Sequence, residues 1–280
     1  MAGFADARVA YLGPAGTFSE QAVRRFFGRG VDALAQSSFD GVLDCVENET
    51  ADYGLIAIEN NTNGTVTHAL DLLLERQLLI AGEVSVPVIH NLLTRDGTLR
   101  GVKRVYAHAQ ALGQCRGWLK NHLPEAECVA VSSNAEGARL ASVENEAAGI
   151  AALEAADIYG LRPAAQSIQD GCGNKTRFLV MSRAEENILP NVKERKTSIV
   201  FSVANEPGSL YRILYPLAQN NVQMVRIESR PARNGSWEYN FVIDLAAGFD
   251  DEPLARALEI MRAEATYLRV LGSYPVLDAD

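Results

Sequence analysis

Apolar positions along the chain change their period once, near residue 185. From Arg8 to about Met181 short apolar runs recur: RVAYLG, YGLIAIEN, VKRVYAH, CVAVSS, AGIAAL and FLVM each read as a strand. Between them TFSEQAVRRFF and TVTHALDLLLERQ carry helical spacing, the first opening on a hydroxyl cap. Strands alternating with helices predict an α/β fold with a largely parallel sheet, in which ligands bind beyond the carboxyl ends of the strands. Four polar segments follow those ends: GPAGTFS, ENNTNG, HAQALGQ and SSNAEG.

Around AEENILPNVKERK the chain turns charged and proline-bearing, which predicts a linker near Glu185 to Lys196. Beyond it TSIVFSVA reads as a strand, and GSLYRILYPLAQN sets Leu210, Ile213, Leu214 and Leu217 on one helical face. Pro216 is expected to kink that helix or loosen its last turn. VQMVRIESR and SWEYNFVIDL flank Asn234–Gly235, a hairpin signal. In the second of these strands Trp237, Tyr239, Phe241, Ile243 and Leu245 alternate with Glu238, Asn240, Val242 and Asp244. A helix at EPLARALEIMRAE and a strand at YLRVLGSYP complete the order βαββαβ, a small ferredoxin-like domain.

Composition narrows the function classes. The chain has 280 residues, room for two ordinary domains or a bilobal one with a small companion. A net charge of −9, with no basic stretch above the acidic background, excludes a nucleic-acid footprint. It leaves open an anionic substrate in a locally positive pocket. Cys45, Cys115, Cys128 and Cys172 are scattered, without metal-knuckle or redox spacing, and read as reduced thiols of a cytoplasmic protein. The first residues show no export signal, and no apolar run approaches the roughly 20 residues of a membrane span.

Candidate chemistry gathers behind the strands. Thr17 and Ser19 open a helix, either as simple caps or as part of an amide-lined anion site. Glu59 and Asn60 end a buried strand, where they could orient a hydroxyl; Asn61, Thr62 and Asn63 could equally form a turn. His108, Gln110 and Gln114 follow another strand, and the two glutamines share a face if a helix begins there. GCGNKTRFLVM is unusual: Lys175, Thr176 and Arg177 stand at the mouth of the core run Phe178 to Met181. Either the loop makes an ordinary turn or it delivers Thr176 to a pocket. Phosphate-loop spacing, the nucleotide fingerprint, a second His or Cys at metal-ligand spacing and a convincing Ser–His–Asp order are all missing. The expected chemistry is therefore hydrogen bonding and positioning, with no metal and no cofactor.

Together YLGPAGTFS, IAIENNTNG, AHAQALGQC, SSNAEG and GNKTRFLV fall in the order and spacing of prephenate dehydratases, and NEPGSLYRIL with IESRP resembles the ACT regulatory domain those enzymes carry. The resemblance covers about Arg8 to Tyr274, and its most specific pieces are KTRF and ESRP. Three places depart from the family: Ala57 stands where proline is usual, Ala107 and Ala109 flank His108 in place of serine and proline, and Asn61 replaces a hydroxyl residue. Thr176, which related prephenate decarboxylases lack, is retained.

The resemblance implies a two-lobed, periplasmic-binding-protein-like catalytic domain over residues 8–185, with lobes 8–82 plus 177–185 and 83–176, and an ACT domain over 197–275. It implies decarboxylating dehydration of prephenate to phenylpyruvate, with Thr176 as proton donor to the departing hydroxyl. Glu59, Asn60 and Gln110 complete the expected catalytic set. Thr17, Phe18, Ser19, Asn61, His108, Ser133, Asn174, Arg177 and Phe178 are expected to bind substrate, although Arg177 could instead form a structural ion pair. Phenylalanine is the implied effector, held by Asn205, Pro207, Gly208, Ser209, Leu210 and Tyr211 together with Glu228, Ser229, Arg230 and Pro231 of a homodimer or homotetramer. The alternatives are arogenate dehydration, a catalytically silent phenylalanine sensor, and a C-terminal domain that only dimerises. No mutase segment is recognised ahead of Arg8, so a monofunctional enzyme is expected.

Overall fold

The computed structural model describes residues 4, 6–184, 188–189, 191–232 and 239–278. The chain begins with β1 (Arg8–Leu12), α1 (Phe18–Phe27), β2 (Asp32–Gln36), α2 (Phe39–Glu47), β3 (Tyr53–Asn60) and β4 (Gly64–Thr65). It continues through α3 (Thr67–Glu75), β5 (Leu79–Pro87), β6 (Asn91–Thr94), β7 (Arg104–His108), α4 (Ala109–Gln114), α5 (Arg116–His122) and β8 (Glu127–Val131). Then come α6 (Asn134–Val143), β9 (Ala147–Ala151), α7 (Glu154–Tyr159), β10 (Arg162–Ala165) and β11 (Lys175–Ser182). The last stretch is β12 (Arg195–Ser202), α8 (Ser209–Gln219), β13 (Met224–Pro231), β14 (Tyr239–Leu245), α9 (Glu252–Glu264) and β15 (Tyr267–Leu277).

Contacts divide these elements into two units. The first holds the chain up to Val66 together with Ser85–Phe178; the second holds Thr67–Val84 and Leu179–Asp278.

In the first unit β1 pairs in parallel with β2 and β3, with Val9 opposite both Ala33 and Tyr53. A second sheet runs in the order β10-β6-β9-β7-β8. There β7 is parallel to β8 and β9, whereas β6 is antiparallel to β9 and β10. The largely parallel sheet expected from the sequence is thus mixed at one side. No helix separates β6 from β7 of the same sheet, so the chain lacks the crossover that would set β6 parallel to it. The helices start where local chemistry starts them. In α1, Thr17 accepts from the Glu20 N–H at 3.4 Å while the Glu20 carboxylate accepts from Gly16 N–H at 2.8 Å. In α6, Ser133 accepts from Glu136 N–H at 3.0 Å, a second hydroxyl cap with glutamate three residues on.

In the second unit the strands lie in the order β13-β14-β12-β15-β5. The βαββαβ order predicted for the C-terminal segment holds, and its core joins Ile199, Phe201, Ile213, Leu217, Ile243, Leu258 and Met261. Helix α8 continues through the buried Pro216 to Gln219, and the Pro216 carbonyl is taken by the N–H of Asn220 at 3.1 Å. β13 and β14 pair antiparallel from Met224 opposite Leu245 to Pro231 opposite Tyr239. The Asn234–Gly235 turn, with Trp237 and Glu238, lies outside the described residues. The alternation expected in β14 stops at Val242: Val242, Ile243, Asp244 and Leu245 are all buried. Asp244 is tolerated there because the Ser198 hydroxyl lies 2.6 Å from its Oδ1, with Tyr274 Oη 2.6 Å from the same hydroxyl. The expected linker is shorter than the sequence suggested, since Arg195 and Lys196 already pair with Pro275 and Tyr274 in the β12–β15 ladder. Among the described residues no helix is long and apolar enough to cross a membrane.

Candidate active site

Within the first unit a cavity of about 450 Å³ opens at the carboxyl ends of β1, β3, β7 and β8, where an α/β sheet is expected to bind ligands. The turn after β1 supplies Thr17, Phe18 and Ser19, and the end of β3 supplies Asn60 with Asn63 and Thr65 beyond it. His108, Gln110 and Gln114 come from the start and end of α4, Ser133 and Asn134 from the start of α6. The link between β5 and β6 adds Val88 and His90, while Asn174, Thr176 and Phe178 close the wall. Among the described residues no lysine, arginine, aspartate or glutamate lines it.

Thr176 stands at the start of β11, half-buried, with its hydroxyl in a defined hydrogen bond. Asn60 Nδ2 donates to Thr176 Oγ1 at 3.0 Å, to Asn174 Oδ1 at 2.7 Å and to the Lys175 carbonyl at 3.2 Å. The other end of the Asn60 amide is fixed independently: Oδ1 accepts from the backbone N–H groups of Thr62 at 3.1 Å and Asn63 at 3.0 Å. Asn174 Nδ2 in turn donates to Gln114 Oε1 at 3.1 Å, and His90 Nε2 lies 2.8 Å from the same oxygen. Four amide or hydroxyl side chains and one imidazole therefore form a single chain along one wall. With its acceptor side taken by Asn60, the Thr176 hydroxyl has its proton left to offer.

Other expected site residues are engaged differently. Arg177 Nη2 pairs with Glu59 Oε2 at 3.2 Å, and neither residue lines the cavity. Asn61 fastens the β3 end to the crossing strand: its Nδ2 donates to the Gly173 carbonyl at 2.6 Å and its Oδ1 accepts from Lys175 N–H at 3.0 Å. The Thr17 and Ser133 hydroxyls serve as helix caps, and His108 Nδ1 accepts from Gln110 N–H at 3.3 Å. Phe178 of β11 is buried and lines the cavity. His90 was not singled out by the sequence reading. Its one signal was a His–Asn pair inside the apolar run VPVIHNLL, and a buried imidazole there requires a partner.

In the second unit a smaller cavity of about 120 Å³ is lined by Asn205, Ser209 and Leu210 together with Val203, Glu206, Tyr239 and Phe241. Gly208, at φ 82°, occupies the left-handed conformation ahead of α8, which glycine adopts without strain. In β13, Arg230 makes a bidentate pair with Asp71 of α3, at 2.8 and 2.9 Å.

A mixed α/β fold of the periplasmic-binding-protein type, followed in the chain by a ferredoxin-like domain and carrying a cavity of uncharged polar residues at its strand ends, defines a small-molecule enzyme with a regulatory appendage. Residues 9–186 match the family model for prephenate dehydratase and residues 197–262 that for the ACT domain. A bifunctional chorismate mutase/prephenate dehydratase from Stutzerimonas stutzeri is 42% identical over 269 residues, which is 96% of this chain and 73% of that protein. Among solved structures, a prephenate dehydratase from Arthrobacter aurescens in complex with L-Phe superposes with a TM-score of 0.86 at 33% identity, covering 96% of this chain and 90% of that one. A structure described as a novel type of quorum-quenching acylase gives a TM-score of 0.87 at 30% identity, covering 96% and 98%. The chain belongs to the prephenate dehydratase family and carries an ACT domain. Its activity is the family's: prephenate loses water and carbon dioxide to give phenylpyruvate, a step of phenylalanine biosynthesis.

Proposed function

We propose that the cavity holds prephenate with its ring hydroxyl against Thr176, and that Thr176 donates to that oxygen as the carbon–oxygen bond breaks. The ring carboxylate leaves as carbon dioxide, and the electrons of its carbon–carbon bond complete the aromatic ring. The departing oxygen takes up a proton and leaves as water. A threonine hydroxyl is a weak acid, so the group behind it matters. Asn60 Nδ2 donates to Oγ1, and that bond strengthens as Oγ1 gains negative charge in the transition state. This contact is the observation that carries the proposal. Gln110 and His108 on one rim, and the first-turn amides at Phe18 and Ser19 on another, would orient the carboxylates. Asn61 and the Glu59–Arg177 pair act one step back, holding the crossing strand in place.

The acylase among the structural relatives raises acyl transfer as a rival chemistry. That reaction needs a hydroxyl activated by an adjacent base. The two histidines that line the cavity are engaged elsewhere: His90 Nε2 meets Gln114 and His108 Nδ1 meets a backbone amide. The geometry favours dehydration. Phenylpyruvate released from prephenate, followed beside the same assay on arogenate, tests both the reaction and the choice of substrate. Absence of product from prephenate at any enzyme concentration would overturn the reading.

For the second unit the proposed ligand is phenylalanine, seated at the cavity of Asn205, Ser209 and Leu210 beside Gly208, in a cytoplasmic homodimer or homotetramer. Arg230 is held by Asp71, so its role there is to fix β13 against α3, leaving Glu228 and Ser229 of the same strand to meet the effector. Millimolar phenylalanine is expected to lower turnover and raise thermal stability together. No change in either would remove the regulatory role.

A further inference from the structure

We infer that His90 is a positioning residue for the dehydration: its Nε2–H ends a hydrogen-bond chain, with a direction set by two backbone amides, that holds Gln114 and Asn174 in place behind Asn60 and Thr176. The inference rests on the proposed role of Thr176 and extends it to a residue whose ring nitrogen is bonded to Gln114 and not to Thr176.

The direction follows step by step. Backbone N–H groups can only donate, so the Asn60 atom that meets Thr62 and Asn63 must be the oxygen. The nitrogen therefore faces Thr176 and Asn174, which makes the Asn174 atom at 2.7 Å its oxygen. Asn174 then presents its nitrogen to Gln114, whose facing atom must be an acceptor. That oxygen can receive, but not give, a hydrogen bond at 2.8 Å from His90 Nε2, so Nε2 carries the proton. The tautomer of a histidine is thereby dictated from the far end of the chain.

His90 is built for that post. It is 2% exposed; its N–H donates to Gln169 Oε1 at 3.0 Å, and its carbonyl accepts from Ile168 N–H at 2.9 Å. The Phe18 ring packs edge-on at 5.9 Å. Burial also pushes the imidazole below its ordinary value of 6.5, so the ring is neutral near pH 7. Nδ1 is buried without a hydrogen-bond partner, as expected for the unprotonated nitrogen of this tautomer. Without the Nε2–H, nothing holds the Gln114 oxygen toward Asn174; when the Gln114 amide turns end for end its nitrogen faces the Asn174 nitrogen, and Asn174, whose orientation Asn60 fixes, is pushed from its place beside Thr176.

The test compares two amides of equal polarity. In His90→Gln the side-chain N–H falls near the Nε2 position and restores the bond to Gln114; in His90→Asn it falls near Nδ1 and does not. His90→Asn and His90→Leu should lower kcat about tenfold or more, the loss of roughly one buried hydrogen bond from the transition state, with KM within about twofold. His90→Gln should recover to within about threefold of the wild type. If both amides behave alike, or if His90→Asn and His90→Leu keep wild-type kcat while Thr176→Val abolishes it, the positioning role is refuted and the Thr176 mechanism survives. Failure of the wild-type chain to convert prephenate would refute the underlying mechanism instead. Because a leucine may fail to fold there, nitrogen-15 NMR of the wild-type imidazole supplies an independent check: protonated Nε2 with bare Nδ1 is required, and the opposite tautomer overturns the inference whatever the kinetics.

Discussion

Replacing Thr176 by valine removes one oxygen and leaves nearly the same shape, and the structure allows its two consequences to be separated. The first concerns folding. Asn60 Nδ2 has two protons and three acceptors, Asn174 Oδ1 at 2.7 Å, Thr176 Oγ1 at 3.0 Å and the Lys175 carbonyl at 3.2 Å. Deleting the hydroxyl leaves an acceptor for each proton, so no buried donor is orphaned and the cost is about 1 kcal/mol or less. Valine is also a good strand residue at the start of β11. The melting temperature should fall by no more than about 3 °C. The second consequence concerns the reaction. Loss of a positioned proton donor costs about 10²–10⁴ in rate, or roughly 3–5 kcal/mol of barrier. Phenylpyruvate formation under saturating prephenate should therefore drop at least a hundredfold, with KM little changed because the methyl occupies the space of the hydroxyl. Thr176→Ser keeps the oxygen and should stay within about tenfold. A valine variant that turns over within fivefold of the wild type would refute the role given to this hydroxyl, since the fold offers it no other reason to fail.

Gly272 packs where a β-carbon would lie 2.2 Å from the carbonyl oxygen and 2.9 Å from the nitrogen of Ile80, both rigid backbone atoms. Gly272→Ala should therefore cost on the order of 3 kcal/mol or more, read as a large drop in melting temperature; an unchanged value would mean that β15 can shift aside. A depressed histidine gives a definite sign for pH. The folded pKa of His90 lies below the unfolded 6.5, so the unfolded chain binds more protons in that window. Stability should be full above about pH 6.5 and decline as pH falls below it, and His90→Gln should flatten that decline; equal slopes for the two proteins would refute the assignment. Arg230→Met removes the bidentate partner of Asp71 and should weaken the thermal stabilisation given by phenylalanine more than it alters turnover in its absence. Equal stabilisation by phenylalanine in both proteins would detach Arg230 from the effector response.

The sequence made the framework legible because its signals were local. Thr17 announced a helix start and is a cap, while Ser133, expected from the resemblance to bind substrate, caps a second helix. The strand at Tyr53–Asn60 ended in a polar pair, and Asn60 does face the cavity. Other features depended on distant neighbours. The alternation in β14 suggested one wet face, but burial of Val242 and Asp244 depends on Ser198 and Tyr274, remote in the chain. β5 and β6 lie in an apolar stretch without clean alternation, where strand and helix are hard to distinguish by period. The amide chain is the extreme case. Asn60 and Thr176 are 116 positions apart, and nothing in either segment says which end of an amide faces the other.

That no charged residue lines the cavity among the described residues is itself consistent with the reaction. Prephenate enters as a dicarboxylate, and an arginine in the wall would be the obvious way to bind it. During the reaction, however, the ring carboxylate becomes neutral carbon dioxide, and negative charge moves toward the departing oxygen. A cation fixed against that carboxylate would stabilise the ground state more than the transition state and would raise the barrier. Neutral amides and hydroxyls attract the starting anion more weakly and so forfeit less as its charge departs. At the other end of the charge shift, the role proposed for Thr176 is that of a donor backed by the Asn60 amide, whose interaction with the leaving oxygen would strengthen as charge arrives. Arg177, which follows Thr176 in sequence, pairs with Glu59 and does not line the wall. With prephenate seated as proposed, strong charges would stand away from the carboxylate that must leave and oriented dipoles would face the oxygen where charge accumulates.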